Sequence, residues 1–351
     1  SRIGPRSGAS VVGEGSRWTA TGERFVEGAL AVTDGGFVSN RRAFVRNSRG
    51  ETASVSVVGE GSLWNSSDVV EIGTEAIGRV AVLDRGRVIT GGTVLGGTAT
   101  QIASMLINDS VWTTGALSVQ GKGQLGLSVV NGGRLTATGF MGVDPDTLGQ
   151  ANVSIVGEES KVFVSSDLMI GGNGLTVFNV LDQAKVEATD VYLGDEGFTL
   201  INVNGAGSDL RARDRLEING NTNLVVQDGA SLRSQSGVVG VSSRLEIPSV
   251  AIRGAGASWE TFELVVGQQG RGIVSLSDGA RMDSSNVLVS KEPGSIGEIN
   301  VLGVGSVWRN WSSNFLLGPK GEGRLTIADG GTVISRDVRA ATGLGSRAVI
   351  N

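Results

Sequence analysis

Four arginines crowd one short stretch near the start of the chain, at Arg41, Arg42, Arg46 and Arg49, and three more alternate at Arg211, Arg213 and Arg215. A guanidinium is planar, permanently charged and presents a fork of donors, so such clusters suit sulfate or carboxylate groups on a glycan or an acidic protein patch. Ordinary solvated surface is the competing reading. In Trp308-Arg309-Asn310-Trp311, the second tryptophan lies beside a cation and outside the spacing that the other tryptophans keep. An exposed indole at Trp311, flanked by Arg309, would be a contact hot spot, and a packed one would be structural.

Other chemistry is scarce. The chain has no histidine and no cysteine among its 351 residues. That removes disulfides, thiolate nucleophiles, most zinc sites and every triad that depends on histidine. The expectation is a non-enzymatic protein without cofactor or metal. The net charge of −5 gives no field for nucleic acid, and no stretch is apolar enough to insert in a membrane as a helix. Gly121 to Gly126 fits G-x-G-x-x-G, but Leu127-Ser128-Val129 then reads as a strand, where a dinucleotide site needs a helix. Asp34, Asp84, Asp182, Asp228, Asp278 and Asp329 recur before a glycine or a similar turn residue. Their fixed place marks them as turn residues rather than a catalytic carboxylate ladder. Calcium-binding nonapeptides are absent.

These residues hang on a repeat. Val11-Val12-Gly13-Glu14-Gly15-Ser16-Arg17-Trp18 returns as Val57-Val58-Gly59-Glu60-Gly61-Ser62-Leu63-Trp64, and equivalents end at Trp112, Val162, Leu210, Trp259 and Trp308, spaced 46 to 50 residues. A second motif, Leu30-Ala31-Val32-Thr33-Asp34-Gly35-Gly36-Phe37-Val38, lies between them and recurs up to Leu325 through Val333. Both are variants of one unit: two apolar residues at i and i+2, a glycine turn, then another apolar residue. Taking that last residue as a marker, the period is about 24 residues. Apolar pairs such as Val55/Val57, Ile201/Val203 and Ile299/Val301 put one face of a strand inward, with Ser56, Asn202 and Asn300 outward. One such turn cannot bury its inward residues alone, whereas stacked turns form ladders.

The expected fold is therefore all-β, a right-handed parallel β-helix of about 14–15 coils running through residues 1–351 as seven double-coil repeats of about 48 residues. Glycine supplies the turns, at 56 residues or about 16% against a usual value of about 7%. A seven-bladed propeller would also have a period near 50, but its strands need not resemble each other at half that spacing. A leucine-rich repeat lacks its leucine and asparagine consensus here. Serines two residues before the marker, including Ser62, Ser160, Ser208 and Ser306, are expected to satisfy turn amides. Asp144-Pro145-Asp146 and Lys291-Glu292-Pro293 lengthen their coils and are expected to loop outward.

The pattern V-x-G-x-G-S-x-W followed by L-x-V-G and then L-x-V-x-D-G-G-x-V resembles the repeat of bacterial autotransporter (type V secretion) passenger domains. Trp308 with Phe315 to Val333, and Trp259 with Leu264-Val265-Val266-Gly267 to Met282, carry it most fully. The resemblance implies a piece of a larger secreted passenger, anchored at the bacterial surface by a C-terminal outer-membrane barrel that lies outside this sequence. It implies adhesion to host matrix proteins such as fibronectin, to glycans or to cells, with self-association or a passive stalk as alternatives. A β-helical polysaccharide lyase or hydrolase would need carboxylates and arginines of neighbouring coils to converge in a groove. The motif is a scaffold signature and transfers location better than ligand.

Overall fold

The computed structural model describes residues 1–47, 49–97, 102–242, 246–312 and 314–351. The chain is all-β, and its parallel strands stack as a β-solenoid of about 14 coils with about 24 residues per turn. Among the described residues there is no helix. The chain divides into two compact units, Ser1–Val177 and Phe178–Asn351, each taken by itself below.

A typical coil of the first unit contributes three strands: Gln124–Val130, Arg134–Ala137 and Met141–Pro145. The first of these pairs in parallel register with its neighbours, so that Val55, Val80, Met105, Leu127 and Val153 form one inward column. Val57, Val82, Ile107, Val129 and Ile155 form a second, and all ten side chains are buried. In the second unit Phe198–Asn204, Asp209–Ala212 and Arg215–Ile218 repeat the plan. Ile201, Leu224, Val250, Val274, Ile299 and Leu325 align in the same way.

The marker residues form the inward column of the second strand, and they explain why the visible repeat is twice the coil. In the first unit the column runs Trp18, Val38, Trp64, Val88, Trp112, Leu135, Val162. A large indole in one coil sits between smaller side chains in the next, which fills the interior at constant width where Trp upon Trp would overpack it. Part of the second unit alternates likewise, as Leu232, Trp259, Met282, Trp308 and Val333. Each buried indole N–H donates to a polar side chain of the preceding coil: Trp64 to Asn40 Oδ1 (2.8 Å), Trp112 to Thr93 Oγ1 (3.2 Å), Trp259 to Ser234 Oγ (3.3 Å) and Trp308 to Ser284 Oγ (2.9 Å). An unpaired indole N–H there would forfeit part of what burying the ring gains.

The turns behave as their composition requires. Asp34 and Gly35 both have positive φ, 53° and 84°, the two-residue turn that Asp-Gly adopts with least strain. Ser62 Oγ accepts from the amide of Gly35 one coil away (3.1 Å) and donates to the Val58 carbonyl (2.7 Å). Ser160 bridges Gly132 and Val156 in the same way. Ser110 instead donates to the Asn108 carbonyl. Gly121, at φ 120°, leads into the strand Gln124–Val130, which leaves the glycine-rich match without a helix to present amides to phosphate. Asp144 and Pro145 close a strand rather than standing on a loop, and Leu148 follows as the exposed tip.

One interior residue breaks the apolar rule. Arg24 faces inward in register with Ala43 and has no exposed surface. Its guanidinium lies 3.8 Å from the Trp18 ring, and Nε and Nη1 have no hydrogen-bond partner. Burial pulls its pKa down from the usual arginine range to about 10.

Candidate binding surface

The two arginine clusters meet different fates. Near the N-terminus, Arg41 lies 4.0 Å from Glu23, Arg42 pairs with Glu71, and Arg46 lies 2.6 Å from Glu75. Arg42 and Arg46 also flank the Phe44 ring, at 4.9 and 5.0 Å, and Phe44 stacks on Phe25 at 4.8 Å. Hydrogen bonding to Glu71 raises the pKa of Arg42 further. Arg49 is exposed, and its amide donates to Asn47 Oδ1. What reads in sequence as a basic patch is therefore mostly an ion-paired wall. Its acids lie roughly one coil away along the chain.

The alternating arginines do not share a strand. Arg211 belongs to Asp209–Ala212, Arg213 sits on the corner, and Arg215 opens Arg215–Ile218, where it pairs with Glu217. The corner turns the side-chain alternation away from a single face, so Arg215 looks elsewhere. Arg211 and Arg213 remain together and share Glu187, at 4.0 and 3.6 Å.

Around this pair the structure assembles a surface that the sequence presents as scattered residues. The first outward position after each marker stacks in register as Glu187, Arg211, Arg233, Glu260, Asp283 and Arg309. Arg233 forks onto the nearly buried Asp209, with Nε–Oδ1 3.0 Å and Nη2–Oδ2 2.6 Å. That hydrogen bond outweighs desolvation and raises the arginine's pKa. Asp283 Oδ2 accepts from Arg281 Nε at 2.5 Å, while its Oδ1 is buried without a partner.

Beside this column lies a depression of about 450 Å³, lined by Arg211, Arg213, Arg233, Gln235, Glu260, Phe262, Asp283 and Trp311, among others. Two aromatic rings stand open on it, Trp311 at 58% and Phe262 at 48% exposure. Trp311 is placed there by the corner: its amide donates to the Ser284 carbonyl (2.9 Å), and Ser312 N donates to Asn310 Oδ1 (3.0 Å), which turns the chain. A second hollow, shared by Trp311, Glu260, Asp283 and Arg281, opens against it.

Arg211, Arg213, Arg309 and Trp311, singled out in sequence, thus fall on one face of the second unit. Glu187, Arg233, Glu260, Phe262 and Asp283 are the members that residue clustering misses. The signal for the charged ones is position in the repeat, since each directly follows a marker. Among the described residues, no group of three or more acidic side chains is placed to hold a metal ion. The chain matches no protein-family model and no curated protein.

Proposed function

We propose that this chain is a non-enzymatic adhesive segment displayed at a bacterial cell surface, which attaches to a matrix protein, glycan or cell through the charged face of the second unit. The observation that carries the reading is the depression where Trp311 and Phe262 stand exposed beside Arg211, Arg213 and Glu260. Open aromatic rings ringed by charge are the composition of contact hot spots, and ligand sites combine apolar surface with a few fixed polar groups. The resemblance of the repeat to autotransporter passengers supports the surface location.

Saturable binding of the purified chain to immobilised fibronectin, glycosaminoglycans or epithelial cells is the expected result. Trp311→Ala and Phe262→Ala should each weaken it about tenfold or more. Absence of any saturable binding, together with absence of self-association, overturns the reading.

A second reading draws on one observation. Glu260 and Asp283 sit on adjacent coils beside Arg233 in the same depression, the convergence a polysaccharide-cleaving enzyme requires. Release of reducing ends or unsaturated sugars from a polysaccharide panel, lost in Glu260→Gln, would establish that activity in place of simple attachment.

A further inference from the structure

The outward column of the second unit has an order that matters. From Glu187 to Arg309 its signs run minus, plus, plus, minus, minus, plus. Read from the other end, every sign is reversed. A face with that property is complementary to itself turned upside down.

We infer that this face docks against the same face of a second copy of the chain, with the two coil stacks antiparallel about a two-fold axis between the Arg233 and Glu260 rungs. The inference rests on reading this face as the adhesive surface, and it names the partner. In that arrangement Glu187 meets Arg309, Arg211 meets Asp283 and Arg233 meets Glu260, each pair occurring twice, as an isologous interface demands. Parallel docking would set every charge against its own kind, so the column selects orientation as well as partner.

The flanking positions agree. The adjacent outward column runs Lys185, Asp209, Ser231, Ser258, Arg281, Val307. Under the same axis Ser231 meets Ser258 and Lys185 meets Val307, while Asp209 stays buried under its fork with Arg233 opposite the rung of Arg281, so no like charges collide. On the corner side the exposed Phe262 ring comes opposite the uncharged Gln235, so no charge is set against the ring.

The scale of the contact sets its strength. Six rungs at roughly 4.8 Å and a face one short strand and a corner wide give a few hundred Å² per copy, below the roughly 800 Å² per partner of a stable complex. Several of the charges already hold intramolecular partners, as Arg211 does with Glu187 and Arg233 with Asp209. These partners keep the side chains in place and reduce what docking adds. The contact is a weak, reversible and salt-sensitive one, suited to summing over many molecules on facing cells.

The test is charge reversal with complementation, read by sedimentation velocity on the whole chain. The unmodified chain should self-associate at low salt and separate at about 0.5 M salt, where the screening length falls to about 4 Å and weakens exposed charge pairs. Arg211→Glu and Asp283→Arg should each weaken self-association about tenfold or more, since each sets like charges against each other. Mixing the two variants should restore association between unlike copies, and the double variant should restore it within one protein. Circular dichroism melts of each variant verify the fold. A chain that stays monomeric at low salt, single variants that associate like the unmodified chain, or a mixture that stays apart would overturn the inference. If a monomeric chain still binds matrix or glycan, the homotypic inference falls while the adhesive reading stands.

Discussion

The two units each build an interior of the same kind and differ on one outward column. In the second unit, the position after the marker is charged in six successive coils, from Glu187 to Arg309. In the first unit the same position reads Thr19, Ser39, Asn65, Ile89, Thr113, Thr136 and Phe163, with no charge at all. Inward residues on either side of that position are alike in both. The contrast separates two tasks along one strand: alternate side chains either fill the core or face water, and only the first set is constrained by stacking.

The largest effect should come from the interior column that each unit builds on the same plan. Trp64→Ala in the first unit and Trp308→Ala in the second should each cost about 3–5 kcal/mol, because each opens a cavity and orphans a polar partner on the coil before. Denaturant unfolding should show similar losses in both units. A large loss in one and none in the other would mean that the shared column does not carry equal weight.

Next is a stabilising change confined to the first unit. Arg24→Met removes a fully buried guanidinium with two unpaired nitrogens and should raise stability by about 1–3 kcal/mol. A melting temperature that falls would show that the Trp18 contact outweighs the burial cost. Arg233→Ala should then cost about 1–2 kcal/mol, less than a fully buried pair, because it strands the nearly buried Asp209 while the arginine itself is half exposed.

The smallest stability effect should come from the column itself. Serine at Arg211 or Glu260 should shift stability by no more than about 0.5 kcal/mol, as should serine at Ile89 or Thr113 in the first unit. Adhesion or self-association should fall only for the second-unit changes. Equal loss from both sets would erase the functional distinction between the units.

Much of the fold was legible because stacking repeats its demands. Val55/Val57 and Ile201/Val203 announce inward strand positions, Asp34-Gly35 announces a turn, and Ser62 announces the group that satisfies it. The candidate surface was half legible. Trp311 stood out by breaking the spacing, and Arg211 and Arg213 by clustering. Glu71 and Glu75, which neutralise Arg42 and Arg46, could not be paired with them without knowing how many residues each coil takes to return. Coil length varies from 20 to 27 residues between markers, so a charge partner one coil away has no fixed offset. Glu260 and Asp283 were hidden for a further reason, because each is unremarkable in its own coil and acquires meaning only as a member of a column.

The alternation of indole and aliphatic layers also governs how such a chain can change length. Excising the single coil that carries Val88 would bring Trp64 onto Trp112, two bulky layers with no spacer, whereas removing two adjacent coils preserves the rhythm. Insertions and losses between Trp18 and Trp112 should therefore be inherited in even numbers. The stretch of Val186, Leu210 and Leu232 has no bulky layer to keep in phase, and there a single coil can be gained or lost at little thermal cost. Because the charged column begins on that stretch, the molecule can revise its charged face one rung at a time where its core is most forgiving.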